Sequence, residues 1–160
     1  MRCPLPLVID TDGGTDDAVA IWWALTEPGV ELVALIATGG NVSRDIAATN
    51  CNRILTAAGR LGIPIALGAE GPMGGRLSSW CRRCHSRRRR AGRPRRIEAG
   101  GRRRSRRGAA TIFLSRLMAD QLGELALATI GPVSTLAGAL RTDPALASRV
   151  GALAVRVGGR

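Results

Sequence analysis

Asp10, Asp12, Asp16 and Asp17 place four carboxylates within eight residues, in the stretch Leu7-Val8-Ile9-Asp10-Thr11-Asp12-Gly13-Gly14-Thr15-Asp16-Asp17-Ala18. Acids crowded this closely repel one another unless a cation or the hydroxyls of a sugar occupy the space between them. A simpler use is open to some of them. Thr15 could cap a helix with Asp16 and Asp17 in its first turn, where negative charge meets the positive end of the helix dipole. Capping accounts for one or two acids and leaves Asp10 and Asp12 without a role.

The elements around these residues say how they are positioned. Leu5–Ile9 reads as a buried strand, then the acids and glycines as a tight turn, then Asp16–Leu25 as a helix closed by Pro28-Gly29. Glu31–Ala37 is a second apolar run, ending in the loop Thr38-Gly39-Gly40-Asn41. Ser43 is a good N-cap for a helix running to Leu61, with Ile46, Asn50, Ile54 and Ala57 on one face and Gly62 as its stop. Ile63–Leu67 follows as a third strand. Such a βαβαβ alternation predicts a parallel sheet with helices on both faces, and ligands of such sheets bind just outside the carboxyl ends of the strands. Asp10, Asp12 and Asn41 are all expected there. Asn41 alone could be an ordinary turn residue.

Beyond a central segment, order returns. Ala110–Ala119 has a helical pattern, Glu124–Ile130 reads as a strand, and Gly131-Pro132-Val133-Ser134-Thr135-Leu136-Ala137 leads into a helix through Leu140. Asp143-Pro144 opens a short helix, and Ala152–Val157 is a last strand ending in Gly158-Gly159-Arg160.

The motif Asp-x-Asp-x-Gly-x-Asp-Asp-Ala resembles the N-terminal signature of the inosine–uridine-preferring nucleoside hydrolases. The resemblance extends through Ile36-Ala37-Thr38-Gly39-Gly40-Asn41-Val42, through Asn50, Leu55 and Gly62–Gly68, and through Gly131–Ala137, where Val133-Ser134-Thr135 departs from the family's central residues. Val157-Gly158-Gly159 is similar to the family's Met-Gly-Gly strand end.

The resemblance implies an α/β, Rossmann-like, open and mainly parallel sheet, here truncated. It also implies hydrolysis of the N-glycosidic bond of ribonucleosides to base and ribose, with bound Ca²⁺. Hard carboxylate oxygens suit that ion. Asp12 then corresponds to the general base and a calcium ligand, Asp17 to a calcium ligand gripping with both oxygens, and the main-chain carbonyl of Ile130 to a further ligand. Asp16 and Asn41 correspond to ribose-binding residues, with Asp10 supporting them on the substrate side. An oxocarbenium-like transition state is stabilised by such anionic and polar surroundings. Homo-oligomers are the family's habit.

Composition divides the chain. All 24 basic residues are arginine, and 15 of them fall in residues 76–107 against one acid, Glu98, a local balance of +14. Elsewhere 9 arginines meet 11 acids, a balance of −2, so the net charge of +12 belongs to one segment. A stretch with this charge and no core-facing stripe is expected to be disordered within an otherwise single incomplete domain spanning 1–160.

Three readings of the segment compete. As a polyanion-binding insert it has many phosphate-neutralising cations but only Trp80 for base stacking, so any nucleic-acid contact is expected to be non-specific. Cys81-Arg82-Arg83-Cys84-His85 matches the haem-attachment pattern, but covalent haem requires export, and zinc requires further ligands. The third reading is a shifted frame. Ser86–Arg93 can be written TCA-CGG-CGC-CGA-CGG-GCT-GGG-CGG, which one base on reads His-Gly-Ala-Asp-Gly-Leu-Gly, similar to a block the family carries at this point. Compensating shifts near 76–80 and 105–108 would restore the frame, and this is the preferred reading.

No apolar run approaches a membrane span, Asp10 and Asp12 interrupt any signal-peptide core, and Cys3, Cys51, Cys81 and Cys84 show no disulfide framework. A cytoplasmic chain with reduced thiols is expected. The family's later His-Asp pair has no counterpart here, and the single histidine, His85, lies in the arginine segment. Negligible hydrolase activity is therefore expected of these 160 residues. The nearest rival enzyme is a haloacid-dehalogenase-like phosphatase with Asp10 as nucleophile. In that motif Gly14 holds the next required position and Thr15 comes one residue late.

Overall fold

The computed structural model describes residues 3–73, 109–120 and 123–156. The arginine segment, with Cys81, Cys84 and His85, lies outside the described residues, as does Val157-Gly158-Gly159.

Apolar runs of Val, Leu, Ile and Ala form the strands β1 (Leu5–Thr11), β2 (Val30–Ala37), β3 (Ile65–Leu67), β4 (Ala126–Thr129) and β5 (Ala152–Val155). Near-continuous apolar strands are what a parallel sheet covered on both faces requires. All pairings are parallel, in the order β3-β2-β1-β4-β5. The chain first builds outward from β1 to β2 and β3, then crosses back to place β4 on the other side of β1. The strand order thus reverses between β1 and β4, which opens a crevice at their carboxyl ends.

Helices α1 (Thr15–Thr26) and α2 (Arg44–Ala57) lie on one face and α3 (Ala109–Asp120) and α4 (Ser134–Thr142) on the other. Strand alternation divides the core accordingly. Ile9, Leu32 and Leu35 pack with Ile21, Ala24, Cys51 and Leu55, whereas Val8, Ile36 and Leu127 pack with Leu114, Met118, Leu136 and Ala139. A bulge between Leu7/Val8 and Leu32/Ala34 resets the register. Both layers are then served by one pair of strands.

Several boundaries differ from the sequence expectation. Strand β1 runs on to Thr11, so Asp10 is a strand residue. Helix α1 begins at Thr15 with Gly14 as its cap, not Thr15, because the buried Asp17 reaches back to accept from the Gly14 N–H at 3.3 Å. Helix α2 ends at Ala57, four residues before Leu61. Gly59 adopts φ 66°, and the Arg60 N–H bonds the Leu55 carbonyl at 2.8 Å, a Schellman closure that stops the helix before Gly62. The helix expected after Asp143-Pro144 is a single 3₁₀ turn, Pro144–Ser148, capped by the Asp143 side chain on Ala145 N–H. Among the described residues no helix is long and apolar enough to cross a membrane.

Candidate active site

Three strand ends supply the crevice. At the end of β1 the chain turns sharply through Gly13, whose φ of 73° favours glycine and where a Cβ would meet the Ala47 backbone at 2.8 Å. The Asn50 side chain holds this turn by donating to the Gly13 carbonyl at 3.1 Å. The turn swings Asp12 to the mouth of a cleft of about 570 Å³, lined also by Ile130, Gly131, Pro132, Val155 and Arg156. A Cβ at Gly131 would press on the Asp12 backbone nitrogen at 2.8 Å, so only glycine lets β4 approach β1 this closely.

Asp12 is half-buried, and its Oδ2 accepts from the Asn41 backbone N–H at 2.8 Å. The β2 loop thereby orients the β1 carboxylate. Burial pushes Asp12 up to about 6, against the pull of the Asn41 bond and with the help of the neighbouring Asp17 and Asp16 charges. Asp16, Asn41 and Asp12 all surround the open side of Gly14: the Asp16 Oδ1, Asn41 Nδ2 and Asp12 Oδ1 atoms lie 2.7, 3.1 and 3.7 Å from where its Cβ would stand. These residues, far apart in the chain, are therefore brought to one place. Ile130 reaches the same cleft, and its N–H bonds the Asp10 carbonyl at 2.9 Å.

Asp17 plays a double part. It is 2 % exposed, and its Oδ2 accepts from the Thr11 hydroxyl at 2.6 Å, the Asp12 N–H at 3.1 Å and the Gly14 N–H at 3.3 Å. The acid fastens the turn and caps α1 from inside. Oδ2 is thus committed three times over, whereas Oδ1 takes part in none of these bonds.

Asp10 lies below the cleft, 1 % exposed. Its Oδ1 accepts from the Thr38 hydroxyl at 2.5 Å, and Oδ2 is buried without a partner. Thr38 Oγ1 is 2.7 Å from Thr135 Oγ1, which accepts from the Ala69 N–H at 2.9 Å. Since the Thr38 proton is spent on Asp10, the Thr135 hydroxyl must donate to Thr38, giving a directed chain Ala69 to Thr135 to Thr38 to Asp10. Burial pushes Asp10 up to about 7, opposed by the Thr38 bond and reinforced by the charges of Asp12 and Asp17. Buried this way, Asp10 is no nucleophile for a phosphoryl group, and the phosphatase reading loses its central residue.

Sequence reasoning missed Thr11, Thr38, Thr135 and Arg156 as parts of the site. Thr11 and Thr38 each follow an apolar run at a strand's carboxyl end, and Arg156 directly follows β5. That placement was the available signal. Arg156 Nη1 pairs with Asp16 Oδ2 at 2.6 Å and lies 3.9 Å from Asp17 Oδ1.

Among the described residues no three His, Cys, Asp or Glu side chains converge as a ready metal site. The donor set nonetheless has the chemistry a hard cation needs. Asp12 and Asp17 offer carboxylate oxygens, and Asp10 keeps an unpartnered buried oxygen beneath them.

A family model for inosine-uridine preferring nucleoside hydrolases matches residues 7–160. The chain belongs to that family. It is 31% identical over 144 residues to uridine nucleosidase 1 of Arabidopsis thaliana, covering 90% of this chain and 42% of that protein. Over 69 residues it is 42% identical to the pyrimidine-specific ribonucleoside hydrolase RihA of Salmonella typhimurium, 43% of this chain and 22% of that one. Its fold matches a plant nucleoside hydrolase, PpNRh1, with TM-score 0.76 and 28% identity, over 98% of this chain and 48% of that chain. The purine-preferring ribonucleoside hydrolase from Gardnerella vaginalis shares the fold with TM-score 0.78 at 21% identity, over 96% of this chain and 49% of that one. This nucleoside hydrolase chain thus spans about half the length of the solved relatives it matches.

Proposed function

We propose that this chain carries the ribose- and cation-binding half of a calcium-dependent nucleoside N-ribohydrolase. The observation that carries the reading is the meeting of Asp12, Asp16, Asn41 and Ile130 at the carboxyl ends of β1, β2 and β4, where the strand order reverses. The relatives' names, uridine nucleosidase and pyrimidine-specific ribonucleoside hydrolase, support a ribonucleoside as substrate.

Asp12 is the general base of this reading. A carboxylate pushed up to about 6 is ionised at neutral pH yet basic enough to take a proton from an attacking water. The Asn41 N–H holds its Oδ2, which leaves Oδ1 to face the water. Asp16 and Asn41 accept from and donate to the ribose hydroxyls, and the ionised Asp12 faces a sugar that gains positive charge, with Asp10 supporting the floor beneath. Asp12, Asp17 through Oδ1, and the Ile130 carbonyl are the residues that would hold calcium. When bound, the ion supplies a grip on the sugar hydroxyls and a lower pKa for the water.

Departure of the base needs a proton, and among the described residues there is no histidine to give one. A positioned general acid is worth about 10²–10⁴ in rate. A site without such a donor releases ribose from uridine or inosine more slowly by roughly that factor than one with a donor beside the base. The test is reducing-sugar release with Ca²⁺ present, comparing the chain with Asp12→Asn. Residual release that vanishes in the variant supports the reading. Release that Asp12→Asn leaves unchanged overturns Asp12 as base.

A further inference from the structure

Among the described residues, the ion pairs of the four clustered carboxylates all run to Arg156. Its backbone is anchored, because the Arg156 N–H bonds the Thr129 carbonyl at 2.9 Å and so extends the β4–β5 pairing by one step. Its side chain is free by comparison, 55% exposed, and it lines the same cleft as Asp12 and Ile130. The guanidinium spans Asp16 Oδ2 at 2.6 Å and Asp17 Oδ1 at 3.9 Å. Asp17 Oδ1 is the oxygen which that side chain has not already given to Thr11, Asp12 and Gly14.

We propose that Arg156, held at the cleft by Asp16, is a tethered counter-cation that competes with a divalent cation for Asp17 Oδ1. This rests on the reading of the acid cluster as a cation site. A guanidinium donates hydrogen bonds and carries one charge but offers no lone pair, so it neutralises carboxylates without completing a coordination shell. A divalent ion entering between Asp12 and Asp17 meets that positive charge a few ångströms away and must drive it toward solvent. The pair it breaks is a largely exposed one, which is weak, so displacement is feasible and the competition is modest.

The experiment is calorimetric titration of Ca²⁺ into the whole chain, with Arg156→Met, Arg156→Lys and, as the control on the site, Asp12→Asn. Arg156→Met keeps the apolar stem and removes the charge, and at an exposed position it leaves folding intact. Its calcium affinity is expected to rise about tenfold, with Arg156→Lys close to the parent chain. The gap is expected to narrow with added NaCl as the competing charge is screened. Equal or weaker binding by Arg156→Met, while Asp12→Asn still lowers affinity, overturns the role of Arg156 and leaves the cation site standing. No calcium uptake at millimolar concentration by either the parent chain or Arg156→Met overturns the cation site, and the competition falls with it.

Discussion

The two walls of the cleft are built differently. On the β1–β2 side each of the buried acids is held by a neighbour: Asp17 by Thr11 and two backbone N–H groups, Asp12 by Asn41, and one oxygen of Asp10 by the threonine chain. Helices α1 and α2 cover one face there, and Leu35 and Ile36 near the carboxyl end of β2 are fully buried. On the other side, β5 shows all four of its residues to solvent, with Leu153 52 % and Val155 40 % exposed, and a lone arginine reaches across to the acids. The rigid wall fixes geometry, and the open wall supplies adjustable charge. Stability and ligand response should therefore separate between them.

The largest expected contrast is in packing. Leu35→Ala removes a side chain with no exposure and should cost about 2–5 kcal/mol, since transfer and cavity terms add. Leu153→Ala, at an exposed site, should stay within about 0.5 kcal/mol. Urea denaturation of both variants measures this directly. A comparable loss from Leu153→Ala would mean that β5 is covered in solution, and the contrast between the walls would fail.

Acidity on the rigid wall gives the next effect. Asp10 is pushed from its ordinary 3.8 up to about 7, so the folded chain holds that proton more tightly than the unfolded one. The resulting stability is fully present below about 4 and is lost as pH rises through about 7. Asp12, pushed up to about 6, adds to the same slope. Cation-free protein should thus lose thermal stability from pH 4 to 7. Asp10→Asn should flatten much of that slope and become the more stable chain at pH 8. An unchanged slope in Asp10→Asn would remove Asp10 from the account.

Much of the fold was legible because apolar runs and helix punctuation are local signals. Glu31–Ala37 and Leu5–Ile9 announce themselves as buried strands, and the βαβ alternation then leaves little choice but a parallel sheet. Asp12, Asp16, Asp17 and Asn41 were legible as a group through strand-end placement and family motif. The hydroxyl chain was not, because Thr38 and Thr135 stand 97 residues apart and only packing of α4 against the sheet joins them. Arg156 was hidden for the same reason, being 140 residues from Asp16. The early stop of α2 was missed because two candidate glycines, Gly59 and Gly62, stand three residues apart, and only the positive φ at Gly59 decides between them.

That long-range chain can be tested in isolation. Thr135→Val removes the donor to Thr38 and the acceptor of the Ala69 N–H at once, leaving buried groups unpaired, and should cost about 1–3 kcal/mol. Thr135→Ser keeps the hydroxyl and should recover most of the loss. If Thr135→Val costs nothing while Thr135→Ser destabilises, the methyl packing of Thr135 matters and the hydrogen-bond chain does not.

The smallest effect should come from the open wall. Arg156→Met in cation-free protein breaks an ion pair whose side chains are 55% and 62% exposed, so its effect on stability should stay below about 1 kcal/mol and fade in high salt. The same substitution is the one expected to change calcium affinity about tenfold. A residue that matters little to folding and visibly to ligand binding is what an adjustable wall requires. Loss of several kcal/mol in Arg156→Met would instead make Arg156 part of the rigid scaffold and erase the distinction between the two sides.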